Sequence, residues 1–337
     1  MLVHFALSAQ FAFVLPVHES FDEPAHYAYV RYIAVNHDLP PPQNTSSDEN
    51  EMHQPPLYYV LAALGISWID VSDDLKSQFL WGVATAVKFD PKLNDPAQSG
   101  TALANRVARL VSALLSTLAV WCTYLTLARI APGRKDMALL ATALHGLWPM
   151  FVFMGGVISN DVGVGLAGSL VFLFSTRLLF PSPPGVASQN VRWADAIGLG
   201  LSVTAAVLMK DTGAALVVFG AAIALFLTVW LLRRRQYADA IRVAVCVATT
   251  VFLLIGAYVI SDGRTSRQVG GVAQFASGVA GRVFGIQGGT DNAIAVSPTQ
   301  HAAANLNVAF QGLLRTLFGV FGRGSNSLPN SWYAIAT

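Results

Sequence analysis

Long apolar segments separated by short polar connections dominate the chain. A membrane-spanning helix needs roughly 20 apolar residues to cross about 30 Å of hydrocarbon, and five segments have that length. They lie at about 110–128, 137–158, 162–180, 212–232 and 243–260. Two shorter apolar segments lie at about 193–209 and 2–17. The pattern therefore predicts an all-α, polytopic bundle of about seven transmembrane helices over residues 1–260.

The longest polar stretch follows the first apolar segment and covers about residues 18–105. Pro24 suits the first turn of a helix, and an amphipathic pattern continues from it until Asp38. A second helix is predicted from Pro55-Pro56 to about Ile69. We expect both helices to lie along the membrane surface, as amphipathic helices do.

The composition agrees with a membrane protein. Hydrophobic residues make up 54% of the chain, charged residues 12%, and the mean hydropathy is +0.51. The formal net charge is only +2, and the basic residues form short clusters, which argues against a nucleic-acid partner. Cys122 and Cys246 lie inside apolar segments, so they offer neither a disulfide framework nor metal-ligand spacing.

The positions of Lys and Arg predict the orientation, because these residues concentrate in cytoplasmic connections. The basic clusters in the connections between the later apolar segments fall at 129–135, at 177 and 192, and at 233–242, all on one side of the predicted bundle. Of the 19 acidic residues and seven histidines, 12 and four lie between residues 18 and 100, on the other side. We therefore expect extracytoplasmic chemistry. Segment 261–337 is expected on that outer side and is expected to be truncated at its C-terminus.

Asp22 and Glu23 directly precede the first predicted surface helix. One interpretation is helix capping, since Ser20-x-x-Glu23 matches a capping box. The other is a catalytic or ligand-binding role for the two carboxylates. His26 lies within one helical turn of both, so a proton-shuttling or metal-binding cluster is an additional hypothesis.

The sequence His53-Gln54-Pro55-Pro56 is the second candidate. Two prolines stiffen the backbone and present the preceding side chains in an extended conformation. A simple helix start with a solvated histidine explains the same pattern. Tyr58 and Tyr59 can equally be read as interfacial anchors.

Two short turns between apolar segments supply the remaining candidates. Ser159-Asn160-Asp161 is either an ordinary turn or an acidic group held at the membrane surface, where ionisable residues are functional candidates. Lys210-Asp211 is either an ion pair at a helix end or a lysine that holds a phosphate as a point charge.

In this order, these motifs resemble the GT-C superfamily of polytopic membrane glycosyltransferases, especially protein O-mannosyltransferases, the lipid A aminoarabinose transferase and bacterial polysaccharide-associated members. The resemblance is carried by Asp22-Glu-Pro-Ala-His-Tyr with Glu51-x-His-Gln-Pro-Pro-Leu-Tyr-Tyr, by the turns at 159–161 and 209–212, and by a late pattern over 317–333. It spans nearly the whole chain, and the first loop is its most specific part.

The resemblance implies transfer of a sugar from a polyprenyl phosphate to an outer glycan, lipid or protein, in a bacterial plasma membrane and for its cell envelope. Asp22 would be the general base and the reaction would invert the anomeric carbon, while Glu23 and Asp161 would shape or assist the site. His53 and Lys210 would meet the donor phosphate, directly or through a divalent cation. The further substrate-binding residues would be His26, Gln54, Tyr58 and Asn160.

Two other classes of protein stay open. A secondary transporter would carry ionisable residues near mid-membrane and show internal repeats or broken helices, and the sequence shows neither clearly. A non-catalytic cell-envelope assembly protein, including an inactive fragment of a glycosyltransferase, also fits the pattern.

Overall fold

A computed structural model describes residues 1–18, 20, 22–40, 51–52, 54–73, 99–180, 192–261, 320–321 and 326–327. The regular secondary structure of these residues is helical, apart from two strands of two residues, β1 (Val320–Phe321) and β2 (Asn326–Ser327), that pair antiparallel. The helices of the first half are α1 (Leu2–Val14), α2 (Glu23–Asn36), α3 (Leu57–Ile66), α4 (Gly100–Ile130), α5 (Lys135–Gly146) and α6 (Pro149–Gly155). Those of the second half are α7 (Asp161–Leu179), α8 (Trp193–Met209), a 3-10 helix (Asp211–Gly213), α9 (Ala214–Arg233) and α10 (Tyr237–Ser261).

Helix α4 is the central element, because α1, α3, α5, α6 and α7 all pack against it. Asp73 fixes its first turn by accepting hydrogen bonds from the backbone N–H and hydroxyl of Thr101, the latter at 2.7 Å. Gly100 has a φ of +58°, and the Asp73 carboxylate occupies the space that a Cβ would need there. From α7 onward, each helix packs on its neighbours. Helices α7, α8, α9 and α10 enclose an apolar core of their own.

The predicted fold class, an all-α membrane bundle, is confirmed. Among the described residues, three helical segments are long and apolar enough to cross a membrane: α4, α7 and Asp211–Arg233. The bent pair α5–α6 brings the number to four at most, while α1 and α8 are shorter apolar helices. Large apolar side chains on these helices face outward, including Leu144 and Val218 at 65% and 66% exposure. Such a surface suits contact with lipid tails.

The span predicted over 137–158 is not one straight helix, because the chain bends by 65° between α5 and α6. Pro149 begins α6, and the residue before a proline is driven out of the helical conformation. Trp148 accordingly has a ψ of 122°. The carbonyl of Gly146, left without a helical partner by the break, lies 2.6 Å from Nδ1 of His4.

Both helices predicted in the first loop are confirmed, with shifted ends. Helix α2 begins one residue before Pro24, and α3 ends three residues before Ile69. Helix α3 does more than lie on a surface, because its residues Tyr59, Ala62 and Ile66 are buried in a core shared with α2 and α4. The interfacial-anchor interpretation of Tyr58 and Tyr59 is therefore wrong, since both side chains are fully buried.

The predicted start of the second span at about residue 110 is also too late. Helix α4 begins at Gly100, ten residues earlier, and includes Arg106 and Arg109. Hydropathy excludes these residues from a span, whereas in the fold both are buried against protein. The predictions for residues 262–319, 322–325 and 328–337 lie outside the described residues.

Candidate active site

The candidate residues meet at one end of the bundle. There α2, α3 and α7 begin and α8 ends, which brings Asp22, Tyr58, Asp161 and Lys210 to the same side of the molecule. Helices α4, α7 and α9 run from this end to the opposite one, where Arg129, Arg177 and Arg233 lie in their last turns. The separation of acidic and basic ends matches the charge pattern of the sequence.

A buried ion pair between Glu23 and Arg109 connects α2 to α4. Arg109 donates from Nε to Oε1 at 2.7 Å and from Nη2 to Oε2 at 2.6 Å, and both side chains are 0% exposed. The remaining guanidinium N–H groups donate to the carbonyls of Ala12, Leu15 and Pro16. All five donors of the guanidinium therefore have acceptors, and the end of α1 is bound to the same centre.

Glu23 is a structural anion in this arrangement. Burial by itself raises its pKa, but the charge and hydrogen bonds of Arg109, the charge of His18 and the N–H of Ile158 together hold the pKa below its usual value. The Ile158 N–H donates to Oε1 at 3.2 Å, which ties the α6–α7 connection to α2. A direct chemical role for Glu23 gains no support from this geometry, whereas a role in shaping the site does.

Asp22 differs from the adjacent Glu23 in exposure and in hydrogen bonding. It is the N-cap residue of α2, it is exposed, and its side chain makes no capping hydrogen bond. Its φ of 49° places it in the left-handed region, which costs a non-glycine residue about 1 kcal/mol. The capping-box interpretation also fails, because α2 starts after Asp22 and the Ser20 hydroxyl has no partner among the described residues. Asp22 is thus a carboxylate that the fold leaves available.

His26 lies inside the protein one turn further along α2. Its Nδ1 is 2.9 Å from the hydroxyl of Tyr59, whose ring stacks on Tyr29 at 3.9 Å. Burial, followed by the charge of Lys210, lowers the pKa of His26 to about 4. The imidazole is therefore neutral at physiological pH. The hypothesis that His26 shuttles protons or binds substrate directly lacks support, because only 5% of the residue is exposed.

Tyr58 supports the turn that precedes α7. Its hydroxyl lies 2.7 Å from Oγ of Ser112 in α4 and accepts a hydrogen bond from the backbone N–H of Ser159 at 3.0 Å. Burial raises the pKa of Tyr58, so the phenol stays protonated. Tyr58 acts on the site through Ser159, and the substrate contact predicted for it is not seen in this geometry.

Asp161 and Lys210 form an ion pair at the surface of the site. Lys210 Nζ donates to Oδ1 at 2.6 Å, and 23% of the lysine and 53% of the aspartate side chain are exposed. The second carboxylate oxygen accepts a bond from the Ser159 hydroxyl at 3.3 Å. Neighbouring Asn160 is fully buried, with its amide nitrogen 3.5 Å from Oε1 of Gln54. The two turns predicted from sequence thus meet.

The backbone on both sides fixes the position of Lys210. The residue is extended, with φ −162° and ψ 149°, and stands between α8 and the 3-10 helix. Gly213 then folds back so closely on α8 that a Cβ would overlap the carbonyl of Ala206. A larger residue at 213 would displace the turn that carries Lys210.

The remaining predictions concern His53 and a metal ion. His53 lies outside the described residues. Within the part of the chain that the structure describes, no group of three His, Cys, Asp or Glu side chains is arranged to hold a metal. A divalent cation therefore stays a prediction, and the described residues offer it no set of ligands.

Sequence reasoning missed Arg109 and Ser112, which lie on one face of α4. A signal for Arg109 existed, since an arginine beside a long apolar segment needs a partner. Its partner is 86 residues away along the chain, and the sequence gives no means of identifying it. Ser112 offered no signal, because a serine in an apolar helix commonly bonds to its own backbone.

Comparison with known families identifies the class of protein. The family model described as dolichyl-phosphate-mannose-protein mannosyltransferase matches residues 29–260 of the 337 residues. The chain belongs to this family. No curated protein and no solved structure matches it.

Membership establishes a membrane glycosyltransferase that uses a lipid-linked sugar, in agreement with the GT-C resemblance. Together with the apolar helices, it establishes an integral membrane protein. The matched range contains Gln54, Asp161 and Lys210 but begins seven residues after Asp22. The family match therefore carries no information about the Asp22-Glu23 pair.

Proposed function

We propose that this enzyme transfers mannose from a polyprenyl phosphate to a hydroxyl group of a protein, on the side of the membrane that carries the acidic end. The name of the matched family supports the sugar and the protein acceptor. The observation that carries the mechanism is the exposed Asp22 carboxylate, which has no capping bond and lies at the same end as the Asp161–Lys210 pair.

Asp22 is the proposed general base. The acceptor hydroxyl gives its proton to the Asp22 carboxylate while its oxygen attacks the anomeric carbon. The bond between that carbon and the phosphate oxygen breaks, and the electron pair leaves with the phosphate. Attack opposite to the leaving group inverts the anomeric carbon. A base must reach the acceptor within hydrogen-bond distance, and the exposure of Asp22 supports such access.

Lys210 is the proposed partner of the leaving phosphate. The phosphate gains negative charge as the bond breaks, and a fixed positive charge stabilises that transition state. His26 is not suited to this task because its pKa of about 4 leaves it neutral. Lys210 stays within reach of solvent, so a phosphate can approach Nζ. Asp161 keeps the ammonium group in place until the donor arrives.

The buried residues around these groups have a positioning role in this proposal. Glu23 fixes the start of α2 through Arg109, and Tyr58 fixes the turn before α7 through Ser159. Gln54 is half-buried beside Asn160, which makes it the nearest further candidate for a contact with substrate. His53 precedes it in the chain and is proposed to face the same donor. No step of this mechanism uses a metal ion.

Sugar transfer in membranes that contain the full chain tests the proposal. The assay supplies labelled polyprenyl-phosphate mannose, with glucose and aminoarabinose donors for comparison, and Ser/Thr peptides or membrane glycans as acceptors. We expect mannose transfer to peptide, and a loss of about 10²–10⁴-fold for Asp22→Asn, the range of a general base. Asp38→Asn removes an exposed carboxylate at the other end of α2 and should transfer normally.

Each of the other possible results of this assay would overturn a specific part of the proposed function. Full activity of Asp22→Asn would reject the base, and transfer to glycan alone would reject the protein acceptor. No transfer from any donor by correctly inserted protein would favour a transporter or a non-catalytic assembly protein. The broken span α5–α6 is the feature that a transporter would use, although the Gly146 carbonyl at the break already lies 2.6 Å from Nδ1 of His4.

A further inference from the structure

We infer that the turn between α9 and α10 binds the phosphate of an anionic phospholipid, on the membrane face opposite to the proposed active site. The basic turn is defined as residues 233–236, Arg233-Arg234-Arg235-Gln236. Helix α9 has 20 residues and starts beside Lys210, so at 1.5 Å per residue the basic turn lies about 30 Å from the sugar-transfer site. The inference is thus independent of the proposed function.

The charge of the basic turn is not neutralised within the described part of the chain. Residues 230–242 hold four arginines and one acid, Asp239. Asp239 is already paired with Arg242 at 2.7 Å, and its side chain is 8% exposed. Arg233 and Arg235 are exposed and make no ion pair with a described residue. A cluster of this kind next to a membrane-spanning helix attracts anionic headgroups.

The backbone of Arg235 supplies a second, independent observation. The N–H of Gln236 donates to the carbonyl of Leu231 and the N–H of Arg235 to that of Leu232, which are the two bonds of a Schellman motif. Arg235 occupies the left-handed position of this motif, with a φ of 58°. Glycine adopts that conformation without steric cost, and arginine does not. An arginine at this position points to a use for its side chain.

Aromatic side chains beside the basic turn indicate that it lies at the depth of the lipid headgroups. The Arg234 guanidinium stacks over the ring of Trp230 at 4.1 Å, and the Arg242 guanidinium lies 5.4 Å from the ring of Trp193. Trp193 is 52% exposed. Tryptophan prefers the headgroup level of a bilayer, so the arginines beside these rings lie at the level of lipid phosphates. This placement favours a phospholipid over a soluble anion.

Native mass spectrometry of the full chain in detergent, titrated with phosphatidylglycerol or phosphatidylcholine, tests the inference. We expect preferential binding of phosphatidylglycerol. Arg235→Gly should weaken it about fivefold, which corresponds to about 1 kcal/mol for one basic residue near a membrane, while the melting temperature stays equal or rises because strain is removed. Arg235→Lys should keep most of the binding.

Arg134→Gln is the matched control. Arg134 is exposed on the same face and pairs with Asp136, so its replacement removes the same charge without touching the basic turn. Equal losses for Arg134→Gln and Arg235→Gly would show general attraction by net charge and overturn the site. Unchanged binding in Arg235→Gly would also overturn it. Equal binding of soluble glycerol phosphate and of phosphatidylglycerol would replace the lipid by a free phosphate.

Discussion

Two ion pairs of the same length have opposite surroundings in this protein. Glu23–Arg109 and Asp161–Lys210 both have a 2.6 Å contact, but the first is 0% exposed on both sides and the second 53% and 23% exposed. The buried pair makes further bonds to the carbonyls of Ala12, Leu15 and Pro16, at and after the end of α1, and to the N–H of Ile158. The exposed pair has one more described partner, the Ser159 hydroxyl.

The comparison separates an ion pair that supports the fold from an ion pair that is suited to take part in the reaction. A buried charge without its partner is very unfavourable, so the Glu23–Arg109 pair has to stay intact and is unsuited to exchange partners. An exposed pair contributes little to stability, and its lysine is able to exchange a carboxylate for a phosphate at small cost. Asp22 and Glu23 are adjacent in sequence, yet they fall on the two sides of this division.

Breaking the buried pair should have the largest effect. Arg109→Met leaves the Glu23 carboxylate buried without a counter-charge, and we expect the free energy of unfolding to fall by about 3–5 kcal/mol. Chemical denaturation in detergent micelles, followed by tryptophan fluorescence, measures this. Arg106→Met, the same substitution about one helical turn away in α4, is the comparison variant. A loss below 1 kcal/mol for Arg109→Met would show that the pair does not anchor the site.

His26 tests the same buried region through pH. Its pKa is about 4 in the fold against 6.5 normally, so the unfolded chain binds the extra proton first as the pH falls. The contribution of the neutral His26 to the free energy of unfolding is fully present above pH 6.5. It is lost between pH 6.5 and 4 and amounts to roughly 3 kcal/mol. Comparing unfolding of wild type and His26→Gln across this window measures the effect. The acid-dependent loss should be smaller in His26→Gln, and identical pH profiles would contradict it.

Lys210 should matter for binding and hardly at all for stability. Removing its charge with Lys210→Met should weaken binding of a short-chain prenyl phosphate about 10–100-fold, the equivalent of a charged hydrogen bond of about 1.5–3 kcal/mol. The unfolding free energy should change by less than about 1 kcal/mol. Isothermal titration calorimetry gives the affinity. Unchanged binding would remove Lys210 from the phosphate site, and Lys135→Met at the other end serves as the control.

Asp161→Asn should produce the smallest effect, and in the opposite direction. In the proposed mechanism Asp161 competes with the donor phosphate for Lys210, so its neutralisation should tighten binding of the same prenyl phosphate by about 2–5-fold. The same titration measures this, with Asp70→Asn as a control on an exposed carboxylate elsewhere. Weaker binding in Asp161→Asn would mean that Asp161 contacts the ligand directly instead of holding the lysine.

Much of the site was present in the sequence as local pattern. The proline at 24 predicted the start of α2 to within one residue, and the polar turns at 159–161 and 210–211 were found because they interrupt apolar segments. Hydrophobic periodicity depends only on neighbours along the chain. That is why helix positions were readable, apart from the break at Trp148 and the early start of α4.

The sequence by itself determined an all-α membrane bundle, the side that carries the acids, and the residue types at its ends. The tertiary structure alone decided which carboxylate is available. Asp22 and Glu23 are equivalent by pattern, and only the approach of Arg109, 86 residues away, makes one a buried anchor and leaves the other exposed. The same applies to Asp161 and Lys210, 49 residues apart. Long-range partners depend on packing in three dimensions, which local patterns do not encode.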